Sequence, residues 1–388
     1  MGYIAIICLR KLKGDVFLKI LHTSDLHLGI SLFDISLIEY QKLLPELIAG
    51  AVSESGADIV AISGDVFDSA LSSAEAISVY NRIVSKLCME LKKKTIICAG
   101  NHDGAARLSA CRDVLAAGGL YVYGRLEIPV KPLEIGGCNF YVLPFFNADD
   151  ARRFFPETEI KDLFDAMKAV IESIKENFEP GKKNILIAHC AVIGGEISES
   201  DRAMQMGGTA VIPSELFKDF DYVALGHLHK PQTIGGNVRY SGTPFKYSFS
   251  EKKHKKSFSV FDSDTGKISE IAVNPPYDVE EIEDTYENLL AGQRRDDNVF
   301  LKIKIKDRFL GGEIYSILKE RYPKALKIEG QEFKNEESSI SMDKAQSLSP
   351  LELAKIFYKD QTGLEITEEG IKWFEEALSG LLEGGERQ

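Results

Sequence analysis

The chain of 388 residues contains no C-x-x-C pair; its six cysteines are scattered at Cys8, Cys88, Cys98, Cys111, Cys138 and Cys190. That scatter excludes a zinc ribbon and a disulfide framework, and it suits a reducing cytoplasm. No apolar run approaches the roughly 20 residues that span a bilayer. The nearest thing to a targeting segment, Tyr3 to Leu9, has its basic residues (Arg10, Lys11, Lys13) after it and lacks an A-x-A site, so no membrane partner is expected. There is no G-x-x-x-x-G-K-[ST] sequence, so any use of ATP must come through a partner. Tryptophan occurs once, at Trp373, and basic excess is missing: formal net charge is −12. An acidic surface argues against indiscriminate polyanion binding, but it leaves room for one cleft that carries its own metal charge.

What is present is globular in kind. Hydrophobic residues make up 44% and charged residues 27%, enough for a packed core in two or three domains. From residue 18 to 274, short β-branched runs alternate with helix-period stretches such as Ile38–Glu54 and Ala74–Leu91. The runs are Leu18–His22, Asp58–Ser63, Thr95–Ala99, Asn139–Leu143, Asn184–Ala188 and Tyr222–Leu225. They are apolar on both faces, as strands of a covered sheet are. Hairpin-like pieces follow at Val238–Ser241, Ser257–Asp262 and Lys267–Val273. The pattern predicts a layered α/β domain over 18–274, broken at Asn274-Pro275-Pro276. A small α/β cap over 275–333, a serine-rich tether over 334–349 and a helical tail over 350–388 come next. The tail has nine acids against four bases and an apolar stripe of Ile371, Phe374, Ala377, Leu378, Leu381 and Leu382 with Trp373 beside it. So wide a stripe on short helices needs a partner. Residues 1–17 read as an extension that is not native, with Leu18-Lys19-Ile20 standing where a Met-Lys-Ile start would be.

Five of the seven histidines sit at polar tips that follow the strand-like runs. The tips are Asp25-Leu26-His27, Gly64-Asp65-Val66-Phe67-Asp68, Gly100-Asn101-His102-Asp103, Ala188-His189 and Gly226-His227-Leu228-His229. Open α/β sheets bind ligands at the carboxyl ends of their strands, so these tips are expected to converge. Imidazoles, carboxylates and an amide oxygen without thiolate suit a borderline-hard divalent ion: manganese, magnesium, iron or zinc. D-x-H and H-x-H place both donors on one face if the chain is extended there. Two close metals need a bridging carboxylate, and Asp65 is the natural candidate. Cys190 should point away from His189 into the core.

The ordered series D-x-H, G-D-x-x-D, G-N-H-D, H and G-H-x-H resembles the calcineurin-like metallophosphoesterase superfamily. Three longer stretches, residues 20–29, 226–232 and 240–251 (Tyr-Ser-Gly-Thr-Pro-Phe-Lys-Tyr-Ser-Phe-Ser-Glu), are similar to the SbcD family of bacterial nuclease subunits. The resemblance implies a four-layer α/β/β/α sandwich with a small α/β capping domain and C-terminal partner-binding helices. It implies two divalent ions, Mn2+ by preference, the first held by Asp25, His27, Asp65 and His229 and the second by Asp65, Asn101, His189 and His227. His102 would stabilise the transition state or protonate the departing 3′ oxygen, and the Asp68 carboxylate would orient it and raise its pKa. The family also implies an SbcC ATPase partner, two copies of each subunit, engaged by the tail. Their joint work would be ATP-dependent double-strand exonuclease and single-strand endonuclease action on DNA ends and hairpins in repair, replication and recombination. A small-molecule phosphoesterase of the same superfamily is the same-fold alternative. Lys252, Lys253, Lys255 and Lys256, with Lys246 nearby, are candidate phosphate contacts, a solvated charge run being the plainer reading. The loop 194–208, with Arg202 and Met206, either faces substrate or is an ordinary surface excursion.

Overall fold

The computed structural model describes residues 17–196, 211–292, 297–308, 311–330, 348–362 and 365–384. The expectations about residues 1–16, the tether and most of loop 194–208, including Arg202 and Met206, therefore lie outside the described residues. Chain contacts divide the protein into two units, one of Met1–Glu280 with Asn298–Phe300 and one of Glu281–Asp297 with Leu301–Gln388.

The first unit is built on two six-stranded sheets. One contains β1 (Lys19–Thr23), β2 (Ile59–Ser63), β3 (Lys94–Cys98) and β4 (Leu120–Tyr123), which run parallel side by side. The other has β5 (Leu133–Ile135), β6 (Cys138–Leu143), β7 (Lys183–His189), β8 (Tyr222–Gly226), β9 (Gln232–Ile234) and β10 (Val238–Tyr240), in the order β9-β10-β8-β7-β6-β5. Strands β11 (Ser257–Asp262) and β12 (Lys267–Ala272) return to the first sheet and complete it, β11 antiparallel to β1 and β12 antiparallel to β11. Each sequence-predicted run coincides with an observed strand to within a residue or two at either end.

Alternation along the strands separates two apolar layers. Ile20, Ile59, Ala61 and Ile96 of the first sheet meet Phe140, Val142, Ile185 and Ile187 of the second, all buried, to make the inter-sheet core. The intervening residues of the second sheet, Tyr141, Leu186, Ala188, Val223 and Leu225, face outward. There they pack on helix α3 (Leu163–Lys175) through Ala166, Met167, Val170, Ile171 and Ile174. Those positions recur at helical spacing, and Asp162 starts the helix by accepting a hydrogen bond from the Asp165 amide at 3.0 Å. Helix α1 (Leu44–Ser55) packs on β1 and on α2 (Ala74–Val84). The single helix expected over Ile38–Glu54 is broken in two, because Pro45 stands in the first turn of α1, where its missing N–H costs nothing.

Polar ties pin the two sheets together near their carboxyl ends. Ser63 Oγ donates to the Ala224 carbonyl at 3.0 Å and Ser241 Oγ donates to the His22 carbonyl at 2.7 Å; at the opposite end of the strands Tyr222 stacks on Phe261 with centroids 4.4 Å apart. The tips therefore come from both sheets.

The second unit carries most of a three-stranded sheet in the order 278–284, 299–305, 325–329, and the helices Gly312–Arg321, Pro350–Thr362 and Glu368–Gly384. On the last helix Ile371, Phe374 and Leu378 are half-buried, Ala377 is exposed and Trp373 is 68% exposed. The side chains of Leu381 and Leu382 lie outside the described residues. No described helix is long and apolar enough to cross a membrane.

Candidate metal centre

The tips of β1, β2 and β3 and those of β7 and β8 meet. Asp25, His27, Asp65, His189, His227 and His229 are all buried, whereas Asn101 is exposed and His102 half-buried. Donor atoms cluster tightly: Asp25, His27 and His229 offer atoms within 4.8 Å of one another, as do Asp25, Asp65 and His189, and His27, Asp65 and His102. Asp65 is common to two of these groups and lies 3.3 Å from His189 Nε2 and 3.7 Å from His27 Nε2.

The local backbone differs from the extended chain assumed above. Asp25, His27, Asp65 and His227 all have positive φ, at 52°, 42°, 46° and 102°. Such a conformation costs a non-glycine residue about 1–3 kcal/mol, and it persists only where the surroundings enforce it. Here they do. Asp25 and His27 donate their amides to the Gly64 and Asp65 carbonyls at 3.0 Å, and the His227 amide donates to Asp25 Oδ1 at 2.9 Å. Close approach also explains a motif glycine: a Cβ at Gly226 would stand 1.8 Å from the Ser63 carbonyl oxygen. Donors converge because each turn aims one side chain inward, not because alternate residues share a strand face.

The donor chemistry calls for cations. The Nδ1 of His189 faces the Ser63 carbonyl at 2.9 Å, which only accepts, so a neutral His189 carries its proton there. Its Nε2 lone pair then points at Asn101 Oδ1, 2.9 Å away, and at the Asp65 carboxylate. Nδ1 of His227 stands 3.2 Å from the same amide oxygen. Lone pairs this close repel unless a proton or a metal ion lies between them, and atoms bound at ~2.1 Å in an octahedron stand about 3 Å apart. Asp25 Oδ2, Asp65 Oδ2, both ring nitrogens of His27, and Nε2 of His227 are buried without a hydrogen-bond partner. Buried polar atoms are otherwise paired, so this set fits divalent metal ions. Charge within the set follows burial and proximity. Burial opposes ionisation of Asp65, yet His189, His27 and His102 outweigh it and hold the carboxyl well below its ordinary range. Burial would depress His189, but Asp65 and Asp25 raise it to about 9, while burial and His189 drive His227 down to about 3.

Three sequence expectations change. The Asp68 carboxylate does not contact His102. Its Oδ1 lies 3.5 Å from His27 Nδ1, and the Asp68 backbone carbonyl meets His102 Nδ1 at 2.7 Å. A neutral carbonyl therefore fixes the ring, and the carboxylate that was to raise the His102 pKa faces another histidine. Lys256 is buried and is no surface phosphate contact: its ammonium donates to Glu251 Oε2 at 2.5 Å and to the His229 carbonyl at 3.1 Å. Lys246 is likewise withdrawn, donating to Asp278 Oδ1 at 2.6 Å and to the Lys252 carbonyl at 2.8 Å. Lys252, Lys253 and Lys255 remain exposed.

Supporting residues also emerge that the motifs did not single out. Glu251, fully buried, meets His229 Nδ1 at 3.1 Å through Oε1, which aims Nε2 into the centre. Asp103 accepts from the Gly100, Phe67 and Val66 amides at 2.9, 2.9 and 3.2 Å and so locks the second tip to the third. Gln41 donates to the Leu26 and His27 carbonyls at 3.1 and 2.8 Å and accepts from the Gly29 amide at 2.8 Å. Asp103 and Glu251 stand inside the quoted motifs and were legible as such; Gln41 has no sequence signal.

Known proteins place this geometry. The calcineurin-like phosphoesterase family profile matches residues 18–231. Among curated proteins, the chain is 29% identical to the D component of the nuclease SbcCD from Staphylococcus epidermidis, over 94% of this chain and 99% of that one. It is 31% identical to the protein of the same description from Staphylococcus saprophyticus, over 95% of this chain and 100% of that one. A solved structure described as TT1561 of Thermus thermophilus aligns with 66% of this chain and 100% of its own, at 16% identity and a TM-score of 0.38.

Proposed function

Starting from a chain that belongs to the calcineurin-like phosphoesterase family, and is therefore a metal-dependent phosphodiester hydrolase, we propose that its substrate is DNA and that it is the nuclease half of an SbcC-dependent ATPase complex. The carrying observation is the buried ring of unpartnered donor atoms at Asp25, His27, Asp65 and His227 in a chain similar over nearly its full length to nuclease subunits.

In this reading Asp25, His27, Asp65 and His229 hold one ion, and Asp65, Asn101, His189 and His227 hold the other, both Mn2+. Ions held there would supply Lewis acidity to the scissile phosphate and lower the pKa of a bound water. The chain's own residues do the rest. Glu251 and the Ser63 carbonyl fix the tautomers of His229 and His189. His102, whose Nδ1 is held by the Asp68 carbonyl and whose amide donates to Asp65 Oδ1 at 2.9 Å, presents its other nitrogen to move a proton to the departing 3′ oxygen. The exposed Trp373 and Phe357 of the C-terminal helices support docking of the ATPase there; two copies of each subunit are what the family resemblance implies. Ends and hairpins in DNA repair, replication and recombination are the substrates this reading assigns. The described cysteines are all free, as a cytoplasmic protein's would be.

The test is hydrolysis of linear plasmid and hairpin oligonucleotides against 4-nitrophenyl phosphate, with and without Mn2+. Manganese-dependent DNA cleavage is expected. Turnover of the monoester alone would establish the small-molecule alternative instead.

A further inference from the structure

A cleft of about 510 Å3 in the first unit is lined by Gly124, Arg125, Phe145, Asp150, Arg153 and Phe154 together with Ala105, Leu126 and Phe146. Phe145 and Phe146 separate it from the metal centre and border both. The Phe145 ring stands edge-on to His189 at 6.4 Å between centroids, and Ala105 lies three residues beyond His102. Arg125 is fixed relative to that loop, because its neighbour Gly124 packs against it with no room for a side chain. A Cβ there would lie 2.3 Å from the Ala105 carbonyl oxygen.

The lining has an unusual pairing of chemistries. Arg125 is exposed and makes no ion pair or hydrogen bond with any described residue. Arg153, 76% exposed, reaches Asp150 only at 3.9 Å, and that carboxylate already accepts from the Asn147 amide at 3.1 Å. Phe154 is 42% exposed beside them. Two exposed guanidinium groups, one unpaired and one with a single long contact, recognise phosphate, and an exposed aromatic recognises the face of a base. A base in a duplex has both faces covered, so only an unpaired strand can use all three groups.

We propose that this cleft holds a single-stranded flank of the substrate, its phosphates at Arg125 and Arg153 and a base on Phe154, leading the strand to the metals on the His189 side. The proposal rests on the nucleic-acid reading above and names where the strand runs.

The test measures binding of the full chain in EDTA to fluorescein-labelled dT12 and to the matching dT12·dA12 duplex, by anisotropy across 50–200 mM salt. For single strands the slope of log K against log salt is about 0.7 per phosphate contacted, so Arg125→Ala/Arg153→Ala should lower its magnitude by about 1.4. Binding at low salt should weaken at least tenfold, while Arg125→Lys/Arg153→Lys, which keeps both charges, should preserve the slope. Phe154→Ala should weaken dT12 about fivefold or more with the slope intact, and should spare the duplex. An unchanged slope in the double alanine variant, or equal loss of duplex and single-strand affinity in Phe154→Ala, would overturn the proposal. Failure of the underlying reading looks different: Mn2+-loaded wild-type protein would hydrolyse bis(4-nitrophenyl) phosphate and leave dT12 intact, which overturns both.

Discussion

Replacing Lys256 by Met removes an ammonium that is completely buried and donates to Glu251, Thr243 and the His229 carbonyl. The glutamate stays behind as a buried charge, with the Tyr247 amide at 3.3 Å and His229 Nδ1 at 3.1 Å among its nearest donors. Breaking a buried pair from one side costs about 3–5 kcal/mol. At roughly 2–4 °C per kcal/mol for a domain of this scale, the melting temperature should fall by about 6–20 °C. The measurement belongs on metal-free protein, since metal binding adds its own stabilisation. Adding Glu251→Gln should restore more than half of the loss, because the orphaned charge goes while an acceptor for His229 remains. The pH dependence has a definite sign. In the native protein burial opposes ionisation of Glu251, but Lys256 and His229 outweigh it and depress its pKa, so its contribution is present above the ordinary carboxyl range and lost only well below it. Without the lysine the folded-state pKa rises above the unfolded value, and the penalty, full at neutral pH, shrinks as pH falls through that raised pKa. A drop of less than about 2 °C, accompanied by a weaker salt dependence of DNA binding, would refute the reasoning and return Lys256 to the surface.

Asp65→Ala should abolish hydrolysis and empty both metal positions while the protein stays folded, as metal analysis of the purified variant will show; two retained ions with normal turnover would remove Asp65 from the bridging role. For His102→Ala, metal content should stay at the wild-type level and the rate should fall by about 10²–10⁴, the range for a lost proton donor; metal lost in step with activity would make His102 a ligand. Glu251→Gln alone should weaken metal affinity by about 10–100-fold in a competitive chelator titration, as loss of a group that orients a ligating histidine does elsewhere. Deleting residues 348–388 should spare Mn2+-dependent cleavage of single-stranded DNA while ending co-purification with the ATPase and ATP-dependent duplex cleavage. Retained ATPase binding would mean that the tail is not the docking element.

The strands and the polar tips were legible because both are local: a β-branched run such as 183–189 and the His189 that ends it are neighbours in the chain, and burial on both faces shows in composition. Short-range pattern also located the seven candidate donors. It misjudged how they converge, because the left-handed turns at Asp25, His27, Asp65 and His227 are enforced by amides and carbonyls from other loops. Lys256 was misread for the same reason. Within a run of five basic residues nothing distinguishes it from Lys255, and only the fold brings a buried carboxylate to its ammonium. Asp68 shows the limit at the scale of one residue, since sequence names the residue but not whether its carbonyl or its carboxylate does the holding.

The donors are spread over both sheets, from Asp25 on one to His229 on the other, and His229 is aimed by a residue farther on, Glu251. A nascent chain that has made only β1 to β4 owns Asp25, His27, Asp65 and Asn101 but none of the three later histidines. Competence to cut therefore arrives late in synthesis, once the chain has been made past Glu251 and the second sheet has packed on the first. For an enzyme whose proposed substrate is the cell's own DNA, that order of assembly works as a safety catch: nascent, truncated or half-unfolded copies cannot complete the centre.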